Sequence, residues 1–228
     1  MSILAAGGAG VVFIPISGLF IPISQVPPVL SIAGAVAGIH RAFIYRNEIN
    51  WRVAQWLIPG TLFGAVLGVC VFSMLPEDWL MICVGLFLLR SGIRGLRRKN
   101  EEVAGSNVAL FLPASFISSA ISGVVGASGP MLNSLYISCR IPKNQIIATK
   151  AVGILFLQLT KALSYGAITP ASLQIVGLGV IAGIGGMLGN YIGKRLLNKI
   201  DDGVFESLIN ILLIFSGISL LWDGFKYA

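Results

Sequence analysis

The sequence predicts an all-α protein that crosses a lipid bilayer several times. Of its 228 residues, 56% are hydrophobic and only 11% are charged, whereas soluble domains carry roughly 25% charged residues. The apolar residues form runs of about 20, the length of a membrane-spanning helix. This pattern excludes a soluble enzyme, a disordered chain and a secreted disulfide scaffold, and the runs are too long for the strands of a membrane barrel.

Eight apolar segments account for most of the chain. Six are continuous: 28–46, 53–75, 79–96, 145–166, 172–193 and 204–222. Two contain helix breakers: residues 1–23 include Gly7-Gly8-Ala9-Gly10, and residues 108–138 include Gly126, Gly129 and Pro130. The three cysteines have no metal-ligand spacing, so the sequence predicts no metal and no cofactor.

The two halves of the chain repeat each other at a shift of 119 to 121 positions. The matches are Gly7–Gly10 with Gly126–Gly129, Gln25 with Gln145, Arg41 with Lys161, Tyr45 with Tyr165, and Gly64–Gly68 with Gly185–Gly189. They occur in the same order in both halves. The sequence therefore predicts a duplication, with a first repeat over residues 1–100 and a second over 101–228 within one membrane domain.

The net charge of +7 comes from short loops, which is typical of the positive-inside pattern and not of nucleic-acid binding. The basic loops are 46–52, 94–99, 140–143 and 194–199. All four share one face, the cytoplasmic one, if residues 108–138 dip into the membrane and return. The prediction is then an inverted repeat, with three spanning helices and one re-entrant element per half. The alternative is eight full spans in two parallel halves.

The broken elements are where the sequence predicts a substrate site, because irregular backbone at membrane depth must be buried in protein or line a polar cavity. Ser128 suits an N-cap and Pro130 a first helical turn, which predicts a helix N-terminus at residues 129–131. Unpaired N–H groups there bind anions. Close helix packing is the alternative, and we prefer it for the glycines spaced by four at Gly60, Gly64, Gly68, Gly185, Gly189 and Gly193.

The distribution of charged side chains also favours an anion as the substrate. The nine acidic residues lie in loops or at segment ends, whereas Lys150 and Lys161 lie inside apolar segments. Snorkelling to the interface is the alternative for both lysines; it is as plausible as a functional role for Lys150 and preferred for Lys161. His40 is expected at the interface. The predicted substrate contacts are Gly8, Gly10, Ala127, Ser128, Gly129, Pro130, Asn133, Thr149 and Lys150, with Gln25, Gln145, His40, Arg41 and Lys161 around them.

These features resemble the TauE/SafE sulfite exporter family. The motifs are the glycine-rich breaks, GASGPMLN at 126–133, QIIATKAVG at 145–153, GAVLG at 64–68 and GGMLG at 185–189, and the resemblance covers nearly the whole chain. It implies a multi-pass carrier for sulfite or organosulfur anions in a bacterial or archaeal inner membrane. Two features depart from the family: the first glycine cluster begins six residues after Met1, and Lys150 follows Thr149 where the family often has a small hydroxyl residue.

The first hypothesis for function is a carrier of a small oxyanion, with the lipid bilayer and that anion as its partners and a homodimer left open. A passive anion channel of the same architecture is the second. An intramembrane enzyme is disfavoured because no His or acid is placed to activate Ser115, Ser118, Ser119, Ser122 or Ser128. A membrane partner protein without transport is the last alternative.

Overall fold

The computed structural model describes residues 20–96, 107–126, 132–139, 141–168 and 172–196, with single positions between 211 and 222. These residues form α-helices and short 3-10 turns, and no strand occurs among them. The helices are α1 Val26–Ile44, α2 Trp51–Met74, α3 Glu77–Leu96, α4 Phe111–Val125, α5 Asn133–Ser138, α6 Lys143–Ile168 and α7 Leu173–Leu196. The turns are Ile23–Gln25, Arg46–Glu48 and Val108–Leu110.

Four stretches of the described residues are long and apolar enough to cross a membrane. They are Val26–Ile44, Trp51–Met74, Val108–Val125 and Asn144–Ile168, and Leu173–Leu188 is a shorter apolar helix. The prediction of an all-α membrane protein is confirmed. The bounds of α1, α2, α3, α6 and α7 lie within three residues of the predicted segments, whereas most of the predicted segment 204–222 lies outside the described residues.

Local signals explain where several helices begin and end. Prolines occupy the first turn of α1, where a missing N–H costs no hydrogen bond. The side-chain oxygen of Asn50 accepts from the Val53 N–H and caps α2. Helix α4 ends at Gly126, whose φ of +96° is a conformation that glycine adopts without strain.

Contacts between helices fix their relative directions. Helix α2 runs parallel to α4, because Gly60 faces Leu112, Gly64 faces Phe116 and Gly68 faces Ala120. It also runs parallel to α6, since Asn50 bonds Thr149 near one end and the Phe72 and Tyr165 rings meet near the other.

Helix α1 is antiparallel to α6, with Gly34 against Gln158 and Gly38 against Leu155. It is parallel to α7, with Ile32 against Gly179 and Val36 against Gly183.

The directions place five helix termini at one end of the bundle: the last residues of α1, α3 and α7 and the first residues of α2 and α6. We call this the basic end, because the four basic loops of the sequence adjoin these termini. The opposite or far end holds the starts of α1, α3 and α7 and the ends of α2, α4 and α6. Helix α3 starts at the far end because only Leu75 and Pro76 separate it from the end of α2.

Glycines allow a close contact between α2 and α4. A Cβ atom on Gly64 would lie 2.2 Å from the Phe116 carbonyl oxygen, and one on Gly68 would lie 2.2 Å from that of Ala120. The packing role predicted for Gly60, Gly64 and Gly68 is therefore confirmed. It is wrong for Gly185, where an added Cβ would meet no described residue within 4 Å beyond its own stretch of helix; on α7 the glycines packed most closely against α1 among the described residues are Gly179 and Gly183.

The second broken element is described on both sides of its predicted break. Helix α5 begins at Asn133, and the Leu132 carbonyl accepts from the Tyr136 N–H. The helix N-terminus predicted at residues 129–131 lies outside the described residues. The cluster of Val53, Leu57, Phe111 and Tyr136 packs α5 beside the basic-end halves of α2 and α4.

Candidate functional site

A buried lysine lies where α4 ends. Lys161 is 0% exposed, and it lies seven residues before the end of α6, about 10 Å from that end at the rise of an α-helix. Its Nζ donates to the Gly126 carbonyl at 2.8 Å and to Ser122 Oγ at 3.3 Å. One helical turn later, the Tyr165 hydroxyl donates to the Gly123 carbonyl. The last turn of α4 is thus bonded by two side chains of α6.

The sequence of α4 creates acceptors for these side chains. Helix α4 stops at Gly126, directly after the apolar stretch Val108–Val125, and carbonyls of a last helical turn lack helical N–H partners. Cations are favoured at such a C-terminus by the helix dipole. The helix also carries a row of buried hydroxyl groups: Ser115, Ser118, Ser119 and Ser122. A polar surface at membrane depth is therefore built from one face and one end of α4.

Among the described residues, no acidic side chain bonds Lys161. The two hydrogen-bond acceptors are neutral, and the acidic residues of the chain lie in loops or near segment ends. Burial also overturns the snorkelling prediction for Lys161: its side chain lies against α4 inside the protein and does not reach the interface. An ammonium group has three N–H donors, and the described residues accept from two of them. Residues 127–131, which follow Gly126 directly in the sequence, lie outside the described residues.

An amide adds to the polar character of this region. Gln158 lies one turn before Lys161 on α6 and packs against Gly34 of α1. Its Oε1 is buried without a hydrogen-bond partner among the described residues. Buried polar groups are normally satisfied by protein, water or ligand.

A cavity of about 380 Å³ opens at the far end of the bundle. Its lining joins the starts of α1, α3 and α7 to the ends of α2 and α6, and includes Gln25, Phe72, Ala162 and Tyr165. Because Ala162 directly follows Lys161 and Tyr165 lies on the next turn, the cavity adjoins the part of α6 that bonds α4.

A second polar cluster lies at the basic end. The Asn50 N–H donates to Thr149 Oγ1 at 3.0 Å, and Asn50 Nδ2 donates to Gln145 Oε1 at 2.9 Å. Next to Thr149, the Lys150 ammonium lies over the Tyr136 ring at 5.1 Å from its centroid. Tyr136 is 0% exposed, and its hydroxyl has no hydrogen-bond partner among the described residues.

Comparison with known proteins decides the family. The family model described as "Sulfite exporter TauE/SafE" matches residues 1–220. This chain belongs to the TauE/SafE family. A curated relative is the "Probable inner membrane transporter protein TsaS" of Comamonas testosteroni, which is 27% identical over 206 residues, covering 81% of this chain and 78% of the relative. No solved structure matches the chain.

As a TauE/SafE protein, the chain is a multi-pass transporter of the inner membrane. Its apolar helices agree with that location, and the family disfavours the enzyme and partner-protein alternatives.

The structure separates the residues that the sequence placed together. Gln145, Thr149 and Lys150 lie at the basic end, Lys161 bonds the end of α4, and Gln25 lines the far-end cavity. His40 is exposed and Arg41 lies in the last turn of α1, both at the basic end. Gly8, Gly10, Ala127, Ser128, Gly129 and Pro130 lie outside the described residues, and of Asn133 the backbone alone is described, as the first residue of α5.

Sequence reasoning missed several polar residues of this TauE/SafE protein: Asn50, Ser122, Tyr136 and Tyr165. One signal was available for Tyr165, since it matches Tyr45 in the repeat and lies one turn from Lys161. Asn50 was recognisable as a cap before an apolar run. Nothing in the sequence pairs Asn50 with Thr149, which is 99 residues away.

The Asn50 contacts yield a stability prediction. Asn50→Ala should lower the free energy of unfolding by about 1–3 kcal/mol, because it removes the cap of α2 and the amide bond to Gln145. Thermal unfolding of the detergent-solubilised protein measures the change.

Asn107→Ala is the matched control, since Asn107 caps only the Val108–Leu110 turn through the Ala109 N–H. A midpoint for Asn50→Ala equal to that of the control would show that Asn50 does not tie α2 to α6.

Proposed function

We propose that the protein carries a small oxyanion, sulfite or an organosulfonate, bound where α4 ends beside Lys161. The observation that carries the proposal is a wholly buried ammonium group whose hydrogen-bond acceptors among the described residues are both neutral. A lysine at the centre of a membrane-spanning helix costs about 2.5–3.5 kcal/mol on insertion scales, which is the upper end for a lysine nearer the end of its helix. An oxyanion would compensate this charge and accept the third N–H. A cation would be repelled by it.

The backbone around the break supplies the remaining donors in this proposal. An oxyanion that leaves water needs a donor for each oxygen, because unreplaced hydration costs several kcal/mol. Ala127, Ser128, Gly129 and Pro130 follow Gly126 directly, and Asn133 begins α5. In the proposal, N–H groups of this stretch and the Ser128 hydroxyl contact the anion. Gly8 and Gly10 contribute the matching contacts from the first repeat.

Thr149 and Lys150 have a different part in this proposal. Lys150 lies eleven residues before Lys161 on α6, about 16 Å away along the helix axis. One small oxyanion cannot contact both ammonium groups. We assign Lys150 to attraction of the anion at the basic end and Lys161 to binding it. Thr149 and Gln145 hold that end of α6 to α2 through Asn50.

An inverted repeat with re-entrant elements is the architecture we propose for this site. The antiparallel course of repeat partners α1 and α6 supports it, as does the antiparallel course of α2 and α7. The parallel course of α4 and α6 also supports it, since the chain between them must return to the basic end. Alternating access then arises by movement of one repeat against the other.

The topology prediction is that residues 97–102 and 194–202 face the cytoplasm together. All four basic loops adjoin the basic end, and the positive-inside rule places such an end in the cytoplasm. Single cysteines in these loops, in a variant without Cys70, Cys83 and Cys139, should react with a membrane-impermeant thiol reagent only after the cells are opened. A cysteine at Ser172 is the comparison and should react in intact cells. Labelling of one basic loop from outside would contradict the inverted repeat.

Transport assays test the proposed function. Purified protein in liposomes should take up radiolabelled sulfite or benzenesulfonate and should exchange internal for external anion. Protein-free liposomes measure leakage, and a labelled amino-acid cation such as lysine tests the sign of the selected charge. Uptake of lysine without uptake of either anion would refute the proposal.

A further inference from the structure

We infer that Lys161 also carries the transported proton, so that one proton moves with each singly charged anion. This inference rests on the proposed function, because it takes the anion to bind beside Lys161. It concerns how transport is driven, for which the chain offers no carboxylate deep inside an apolar segment, since Glu206 lies near the start of the 204–222 segment.

The hydrogen bonds of Lys161 suit both protonation states of its amine. A neutral amine has two N–H groups and an ammonium has three. The described residues accept two bonds, at Gly126 O and Ser122 Oγ. These two bonds persist when the amine is neutral. The third N–H exists only after protonation, and it is the one left for an anion.

Other ionisable groups are poorly placed to take this role. Helix α4 carries no titratable side chain between Phe111 and Val125. From α1 come His40 and Arg41, from α2 Arg52, and from the turn beside α6 Arg46 and Glu48, all at the basic end. Toward the far end, the other titratable groups of the described residues are Glu77 and Asp78, which open α3 ahead of its apolar segment, the Cys70 and Cys83 thiols, and the Tyr165 hydroxyl, which donates to Gly123.

The transport cycle follows from charge compensation. On the loading side, the amine takes a proton from a hydronium ion: an N–H bond forms as the hydronium O–H bond breaks and leaves water, and the ammonium binds the anion as a neutral pair. On the release side the anion leaves, and the ammonium is then uncompensated among neutral acceptors at membrane depth. Its proton passes to water there. The neutral amine, still bonded to Gly126 and Ser122, returns with the empty carrier, so charge and protons balance.

Benzenesulfonate in proteoliposomes tests the inference, because its sulfonate stays ionised over the pH range used and any pH effect then belongs to the protein. For the wild-type protein, an inward proton gradient should raise net uptake at least tenfold. A pH-sensitive dye inside the liposomes should record about one proton entering with each anion. Exchange of internal for external benzenesulfonate should need no gradient.

Lys161→Arg tests the need for proton release separately from the need for a positive charge. Arginine keeps a positive charge but does not lose its proton in proteins. Exchange should therefore survive in this variant, while net uptake falls at least tenfold. Lys143→Arg, at the first position of the same helix, is the matched control and should retain both activities.

Two results would overturn the inference while leaving the proposed function standing: wild-type uptake without proton entry, or net uptake by Lys161→Arg at the wild-type rate. The dye measurement needs only the wild-type protein, so it decides the matter even when the arginine variant does not fold. Absence of any benzenesulfonate exchange by the wild-type protein would instead overturn the sulfonate function and the inference with it.

Discussion

Replacing Gly64 with leucine should prevent the protein from accumulating in a folded form. Helices α2 and α4 approach so closely here that even a Cβ atom would lie 2.2 Å from the Phe116 carbonyl oxygen and 2.9 Å from its carbonyl carbon. The obstacle is backbone, which cannot turn aside as a flexible side chain can. Overpacking a core with extra side-chain atoms costs typically 1–3 kcal/mol, and separating two helix backbones disturbs the neighbouring contacts at Gly60 and Gly68 as well.

The matched control for Gly64→Leu is Gly185→Leu. Gly185 occupies the corresponding position of the second repeat, within α7, but an added Cβ there would meet no described residue within 4 Å beyond its own stretch of helix. Both variants add the same apolar side chain to a helix of the same length. Size-exclusion chromatography and thermal unfolding in detergent should show a monodisperse protein for Gly185→Leu and aggregated or absent protein for Gly64→Leu. Equal behaviour of the two would mean that α2 and α4 are not packed through Gly64.

The Gly64 contact also matters for the site. Parallel packing of α2 and α4 sets how deep in the membrane α4 ends, and therefore where the Gly126 carbonyl meets Lys161. The glycines of α2 that contact α4 thus help to position the Gly126 carbonyl. Fold and site are coupled through this one helix pair.

The sequence predicted the helices well and their rotation poorly. Apolar runs of about 20 residues bounded by charged loops leave little freedom in where a spanning helix begins and ends. The same hydropathy does not say which side of a helix meets which neighbour. Gly185 was therefore expected in a contact that Gly179 and Gly183 make instead.

Lys161 also shows that hydropathy does not predict which neighbour a side chain contacts. Its distance from the end of the segment could be read from the sequence, and that distance allowed snorkelling. The Lys161 side chain is held against α4 by two hydrogen-bond acceptors, Ser122 Oγ and the Gly126 carbonyl. These acceptors lie 39 and 35 residues away in the sequence.

Replacing Lys161 with methionine should abolish anion transport and leave the folded protein about as stable as before. Methionine keeps an unbranched stem of similar length but removes the charge and the donors. Without them, the proposed site loses its only buried cation among the described residues, and uptake and exchange of benzenesulfonate should both fall at least a hundredfold. This distinguishes Lys161→Met from Lys161→Arg, which should lose net uptake alone.

The expected stability of Lys161→Met comes from two opposing terms. The variant loses hydrogen bonds from a charged donor to Gly126 and Ser122, worth about 1.5–3 kcal/mol each. It also avoids burying an ammonium group, whose desolvation costs several kcal/mol. The terms nearly cancel, so the free energy of unfolding should change by less than about 2 kcal/mol, or about 4–8 °C in melting temperature for a chain of this size.

A structural role for Lys161 predicts a different pair of results. If its bonds to α4 served only to hold the helices together, Lys161→Met would lower the melting temperature and the yield, and the protein that still folded would transport normally. Measuring melting temperature and benzenesulfonate exchange on the same preparation separates the two roles. Full exchange by a folded Lys161→Met protein would remove Lys161 from the anion site, whatever the stability change.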